Sequence, residues 1–106
     1  MPKYLIEASY TSEGAKGLLK DGGSKRRQAA EQAIKSAGGK LEAFYFAFGD
    51  RDAFVIADAP DHATIAAASL AINASGAVQT KTIVLLTPEE IDQATKKSVK
   101  YTAPGH

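Results

Sequence analysis

The sequence predicts an α+β domain with the βαββαβ order of a ferredoxin-like fold. Its four-stranded antiparallel sheet has two main helices on one side, and a short helix follows at the C-terminus. Three observations predict it. Residues Lys3 to Tyr10 and Leu41 to Ala57 alternate as strands do, alanine-rich stretches at helical spacing lie between strand segments, and glycine pairs or Pro-Asp mark the junctions. Residues 1–99 read as one domain and residues 100–106 as a loose tail.

In Lys3 to Tyr10, Tyr4, Ile6 and Ala8 share one face and Leu5, Glu7 and Ser9 the other. Thr11-Ser12 offers a hydroxyl cap for a short helix from Glu13 to Lys20, which Gly22-Gly23 interrupts. Ser24 is expected to recap a second helix, whose apolar stripe is Ala29, Ala30, Ala33, Ile34 and Ala37. Gly38-Gly39 ends it as a left-handed cap. A strand pair follows, over 41–48 and 53–57, with Gly49-Asp50-Arg51-Asp52 as the reversal. Pro60-Asp61 starts a helix reaching about Ala74, and Ala63, Ala66, Ala67, Ala68 and Ala71 would let it sit close on the sheet. Gly76 caps it, and a last strand runs from Ala77 to Thr87. Thr87-Pro88-Glu89-Glu90 starts a helix to about Val99, expected to pack Ile91 and Ala94 on the body.

Composition narrows the function classes. The 106 residues are 44% hydrophobic and 24% charged, with a net charge of +1, so no strong field favours nucleic acid or an anionic membrane. Cysteine is absent, which removes disulfides, thiolate metal sites and cysteine nucleophiles and fits a reducing compartment. Met1-Pro2-Lys3-Tyr4 runs into a strand without a leader pattern, and no apolar run suits a membrane span. A cytoplasmic protein is expected.

Both faces of the segment Leu41 to Phe48 are apolar. Ala43, Tyr45 and Ala47 lie on one, and Phe44, Phe46 and Phe48 on the other. The helices suffice for one sheet face, and leaving the other wet forgoes roughly 1.5–3 kcal/mol per large side chain. The expected partner is therefore a second copy, in a homodimer or larger oligomer through the sheet face, with Phe46 among the contact residues. The alternative cover, residues 88–99, is short and charged and suits an edge better than a face.

Candidate chemistry is sparse. Lys25, Arg26 and Arg27 fall in the first turn of a helix, where cations oppose the dipole unless an anion joins them. They would bind a carboxylate or phosphate, or else form salt bridges with Asp50, Asp52 or Glu42. Glu7 among apolar neighbours has the setting of a general acid or base, or else it pairs with Lys81 or Arg51 across strands. Asp52 is a proton carrier or a turn residue. His62 and His106 make no metal spacing, and His62 reads as a solvated first-turn residue. Arg51 to Val55 faintly echoes the aromatic strand of RNA-recognition modules, but the first aromatic and the glycine are missing. Phosphate loops, dinucleotide fingerprints and serine elbows are absent, so no cofactor and no metal are expected.

Several short motifs together resemble the GYD-domain family: Tyr4-Leu5-Ile6, Ser24-Lys25-Arg26, Gly38-Gly39-Lys40-Leu41, Phe44-Tyr45, Gly49-Asp50-Arg51-Asp52, Ala59-Pro60-Asp61, Gly76 and Thr80-Lys81-Thr82. The likeness runs from about residue 3 to 97. Gly49 and Asp52 match the family's hairpin, while Arg51 stands where tyrosine is usual. The resemblance implies a ferredoxin-like domain pairing into a dimeric α/β barrel, with small ligands entering between sheet and helices. Tyr4, Arg26, Tyr45 and Arg51 are then candidate ligand contacts, with Arg26 at the family's arginine position and Glu7 and Asp52 also near the pocket. The leading expectation is an accessory protein binding a small anionic or aromatic molecule. A cofactor-free isomerase or monooxygenase, with Glu7 or Asp52 as proton carrier, is the alternative, and a purely structural assembly unit the third.

Overall fold

The computed structural model describes all 106 residues, Met1–His106. In chain order the elements are β1 (Lys3–Tyr10), α1 (Ser12–Asp21), α2 (Gly23–Ala37), β2 (Lys40–Phe46), β3 (Ala53–Asp58), α3 (His62–Ala74), β4 (Val78–Leu85) and α4 (Pro88–Thr95). The strands form one antiparallel sheet in the order β2-β3-β1-β4. This is the predicted ferredoxin-like arrangement, and no helix is long and apolar enough to cross a membrane.

Local chemistry sets the helix boundaries. Thr11 caps α1 by accepting the Gly14 N–H. Gly14 is buried because α1 lies on the start of β4, where a Cβ would stand 2.0 Å from the Ala77 carbonyl oxygen. Ser24 does not cap α2, contrary to expectation. The chain turns at Gly22 (φ 83°), whose N–H closes α1 on the Leu18 carbonyl at 2.8 Å, and α2 begins at once at Gly23 with no side-chain cap. Asp61 caps α3 through the Thr64 amide. Ser75 takes the C-terminal cap predicted for Gly76, which follows with φ 77°.

The core lies between the sheet and α2 and α3. Tyr4, Ile6, Ile34, Leu41, Val55, Ala57, Ala59, Ile65 and Ala68 form it, with Ala8, Ala53 and Val78 as a smaller cluster at one end. Of the alanines predicted to seat α3, only Ala68 is buried; its inner face is Ile65, Ala68 and Ile72, at helical spacing.

The register corrects the placing of Phe46. A bulge at Glu42 lets Leu41 pair with Ala57 and Phe44 with Val55, so both point to the helix side although three residues apart. Phe46, opposite the buried Ala53, follows them there. It lies beneath Gly23, edge-on to Phe44 with ring centroids 5.0 Å apart. β2 ends at Phe46, and Phe48 is exposed at the hairpin tip. The open face instead carries Leu5, Ala43, Tyr45, Phe54, Ile56, Ile83 and Leu85, with Glu7 and Lys81.

The C-terminal segment also departs from expectation. β4 stops at Leu85, α4 stops at Thr95, and every α4 residue is exposed, including Ile91 and Ala94. The chain measures 57 × 33 × 22 Å with a radius of gyration of 16.9 Å. A compact chain of this length would have a radius of about 13 Å. An arm held away from the body accounts for the excess.

Candidate functional site

A cavity of about 60 Å³ lies between α2 and the helix-side face of the sheet. Its wall is almost wholly apolar, from Ile6, Ala29, Ala30, Ile34, Phe44 and Val55 among others, and Arg26 enters from α2. The small Ala29 and Ala30 side chains leave this space open, since a close-packed core would fill it.

Arg26 is the exception among the three cations of the first turn. Lys25 is exposed, and Arg27 points outward to Glu31 one turn on, at 3.5 Å. Arg26 turns inward and is half-buried. Its Nε is buried with no hydrogen-bond partner, and none of Asp50, Asp52 or Glu42 pairs with it. On its other side a hollow of about 90 Å³ is lined by Glu13, Gly17 and Asp21, and neither carboxylate forms an ion pair with it. A buried charged donor left unsatisfied costs about 1–3 kcal/mol or more. A planar guanidinium beside an apolar void is chemically suited to a carboxylate on a small apolar body.

Size restricts that ligand. A cavity of about 150 Å³ holds a benzene ring, so 60 Å³ matches a short aliphatic acid and leaves no room for a ring unless α2 shifts. A larger groove of about 670 Å³ runs along the outer side of α2. Its wall is Gln28, Glu31, Gln32, Lys35, Gly39, Lys40 and Leu41, mostly polar, so it has volume without an apolar floor.

The other site candidates do not gather at this cavity. Glu7 and Arg51 meet on the open face, Arg51 Nε standing 3.4 Å from Glu7 Oε1 while its Nη1 donates to Ser9 Oγ at 3.4 Å. That is one of the two cross-strand pairings foreseen for Glu7, made with Arg51. Tyr45 shares this face and is 70% exposed. Asp52 holds the hairpin closed: its carboxylate accepts the Tyr10 N–H at 2.8 Å, and its backbone bonds to Ala8 and Ala47. Tyr4 is on the helix side but outside the cavity, only 1% exposed.

The contact that sequence reading missed is Tyr4 with His62. The Tyr4 hydroxyl lies 2.6 Å from His62 Nδ1, and the rings meet edge to face at 5.6 Å. His62 is exposed in the first turn of α3, as expected, and its ring also meets the buried phenol. With 58 residues between them, no local pattern connects the pair.

Two groups on the body have shifted protonation. Lys3 bridges Glu42 and Asp58, and those hydrogen bonds, Glu42's first, hold its ammonium above the usual lysine range. Asp61 lies below the usual carboxylate range, because the Thr64 hydroxyl and then the Thr64 amide donate to it.

Among family models, the GYD domain matches residues 4–95, and the chain belongs to that family. Comparison with curated proteins and with solved structures finds no match.

Proposed function

We propose, from membership of the GYD domain family and from the cavity beside Arg26, that this chain is a self-associating binding protein for a small organic anion. The ligand's carboxylate meets the Arg26 guanidinium, and its apolar part fills the space over Ala29, Ala30 and Ile34. A second copy covers the open sheet face. The observation that carries the reading is the buried, unpartnered Arg26 Nε at an apolar void. Glu7 and Asp52 line no part of that cavity and are engaged by Arg51 and by the Tyr10 amide, so binding without turnover is the function proposed.

The test is a titration of the purified chain with isobutyrate, benzoate and neutral isobutyramide, followed by amide shifts in ¹⁵N-labelled protein. Isobutyrate is expected to move the amides of Ala29, Ala30 and Ile34, benzoate to bind more weakly, and isobutyramide to do nothing. Arg26→Gln should weaken isobutyrate at least about tenfold, the lower range for a hydrogen bond to a charged group, with an unchanged circular dichroism spectrum. Equal binding by Arg26→Gln, or no response of those amides to either acid, would overturn the reading.

A further inference from the structure

We infer that residues 86–106 form a clasp that closes on a second copy of this chain, with α4 laid against that copy's open sheet face. The inference rests on the self-association proposed above and adds to it the segment that makes the grip. Three observations carry it.

α4 has every local device of a stable helix and nothing to rest on. Thr87 accepts the Glu90 N–H at 3.1 Å while Glu90 Oε1 accepts the Thr87 N–H at 2.9 Å, and Pro88 opens the first turn. Yet it is 8 residues long and fully exposed. Isolated helices shorter than roughly 12–15 residues are marginal in water, so caps alone do not hold it and a packing surface must.

The arm's apolar residues also lack cover. Leu86 is 59% exposed, Ile91 47%, Val99 81% and Tyr101 77%. The arm leaves the sheet where Ile83 and Leu85 end β4 on the open face. An apolar face and an apolar arm on one chain form a self-complementary pair under a two-fold axis, where each copy gives its arm and receives the other's.

Charge completes the match. The exposed Glu89 and Asp92 of α4 have no cation partner within the chain. On the open face, Lys81 is exposed and equally unpaired. The acidic helix and this lysine meet only between copies.

The test uses the full chain, with sedimentation for association and hydrogen exchange for α4. Amides of Asp92 to Thr95 should be protected at associating concentrations and exchange freely on dilution. Ile91→Asp should weaken association at least about tenfold with the thermal midpoint of the dissociated chain unchanged, and Lys81→Glu should weaken it less. Unprotected α4 amides at every concentration, with Ile91→Asp associating normally while Phe54→Asp dissociates, would overturn the clasp and leave self-association standing. A full chain that stays monomeric throughout would overturn both.

Discussion

Both faces of the sheet carry apolar side chains, more of them on the helix-covered side, and they finish their polar groups in opposite ways. The helix-covered face seals Tyr4, Ile6, Leu41, Val55 and Ala57 beneath α2 and α3, and its phenol is satisfied by His62. The Arg26 Nε remains buried without a partner there, beside the apolar cavity. The open face spreads Leu5, Phe54, Ile56 and Ile83 across its middle and closes most of its charges in pairs, Lys3 with Asp58 and Glu42, and Arg51 with Glu7. The open face is the less apolar of the two, yet it still carries large apolar side chains. On the proposed reading the covered face receives a small charged ligand beside Arg26, while the open face has paired charges around greasy ground, which suits a broad protein surface.

The largest contrast between the faces should appear in stability. Ile34 is 2% exposed and central to the core. Ile34→Ala should cost about 3 kcal/mol in urea unfolding, within the usual range for a deleted core aliphatic. Ile56→Ala on the open face should cost the dissociated chain under about 1 kcal/mol, because those atoms are already partly wet. Equal losses at the two positions would erase the distinction.

A pair of aspartate substitutions sharpens it. Phe46 is 41% exposed and packs the rest of its ring beneath Gly23 beside Tyr10 and Phe44, so Phe46→Asp should destabilise the fold by about 1 kcal/mol. Phe54, opposite Glu7 and Tyr45 on the open face, should lose association as Phe54→Asp while keeping its unfolding midpoint. Light scattering and thermal melts on the two variants separate the outcomes, and a folded monomer from Phe46→Asp would reverse the assignment of faces.

Phe46 also shows how far the sequence could be read. Alternation correctly grouped Phe44 with Phe46 and Ala43 with Tyr45, because strand geometry is local. It could not say which group faces the helices, since that depends on register, and the bulge at Glu42 brings Leu41 and Phe44 to one side. Caps at Thr11 and Thr87 were legible for the same local reason, as was the start of α3 at Pro60-Asp61. The junction at Gly22 was not, because two helices joined by one positive-φ glycine leave Ser24 looking like a cap. Arg26 was singled out by its place in a first turn, whereas its inward course and its lack of a partner are tertiary facts. Alternation also put Tyr4 and Glu7 on opposite faces of β1, and there they lie.

The α3 cap on the covered side gives a smaller effect with a definite pH dependence. Asp61→Ala should cost about 1 kcal/mol, and Asp61→Asn less, because asparagine also caps. The folded aspartate titrates below its unfolded value of about 3.9, so its contribution is fully present above that value. It fades as pH falls through the lower folded value. Lys3 behaves in the opposite sense: its raised value keeps the bridge to Glu42 and Asp58 intact through neutral pH and loses it only above the usual lysine range. Urea midpoints of the wild type and Asp61→Ala should therefore converge in acid and stay parallel from pH 5 to pH 9; a gap undiminished in acid would remove Asp61 as the cause.

The smallest effect tests the open face directly. In the dissociated chain Glu7 and Arg51 stand 3.4 Å apart with the guanidinium about one-third exposed, a geometry for which double-mutant cycles usually give 0.2–1 kcal/mol. The second copy proposed for that face would strip water from the pair, and truncating one partner would then leave the other charge buried and alone. A cycle built from Glu7→Gln and Arg51→Met should thus give a small coupling in the unfolding of the dissociated chain and a larger one in the association constant. The single variants should also associate more weakly than the double one, because the double variant leaves no orphan charge. A coupling of the same size in both measurements would mean that water still reaches Glu7 in the assembly, and the second copy would then have to sit elsewhere than over the middle of β1.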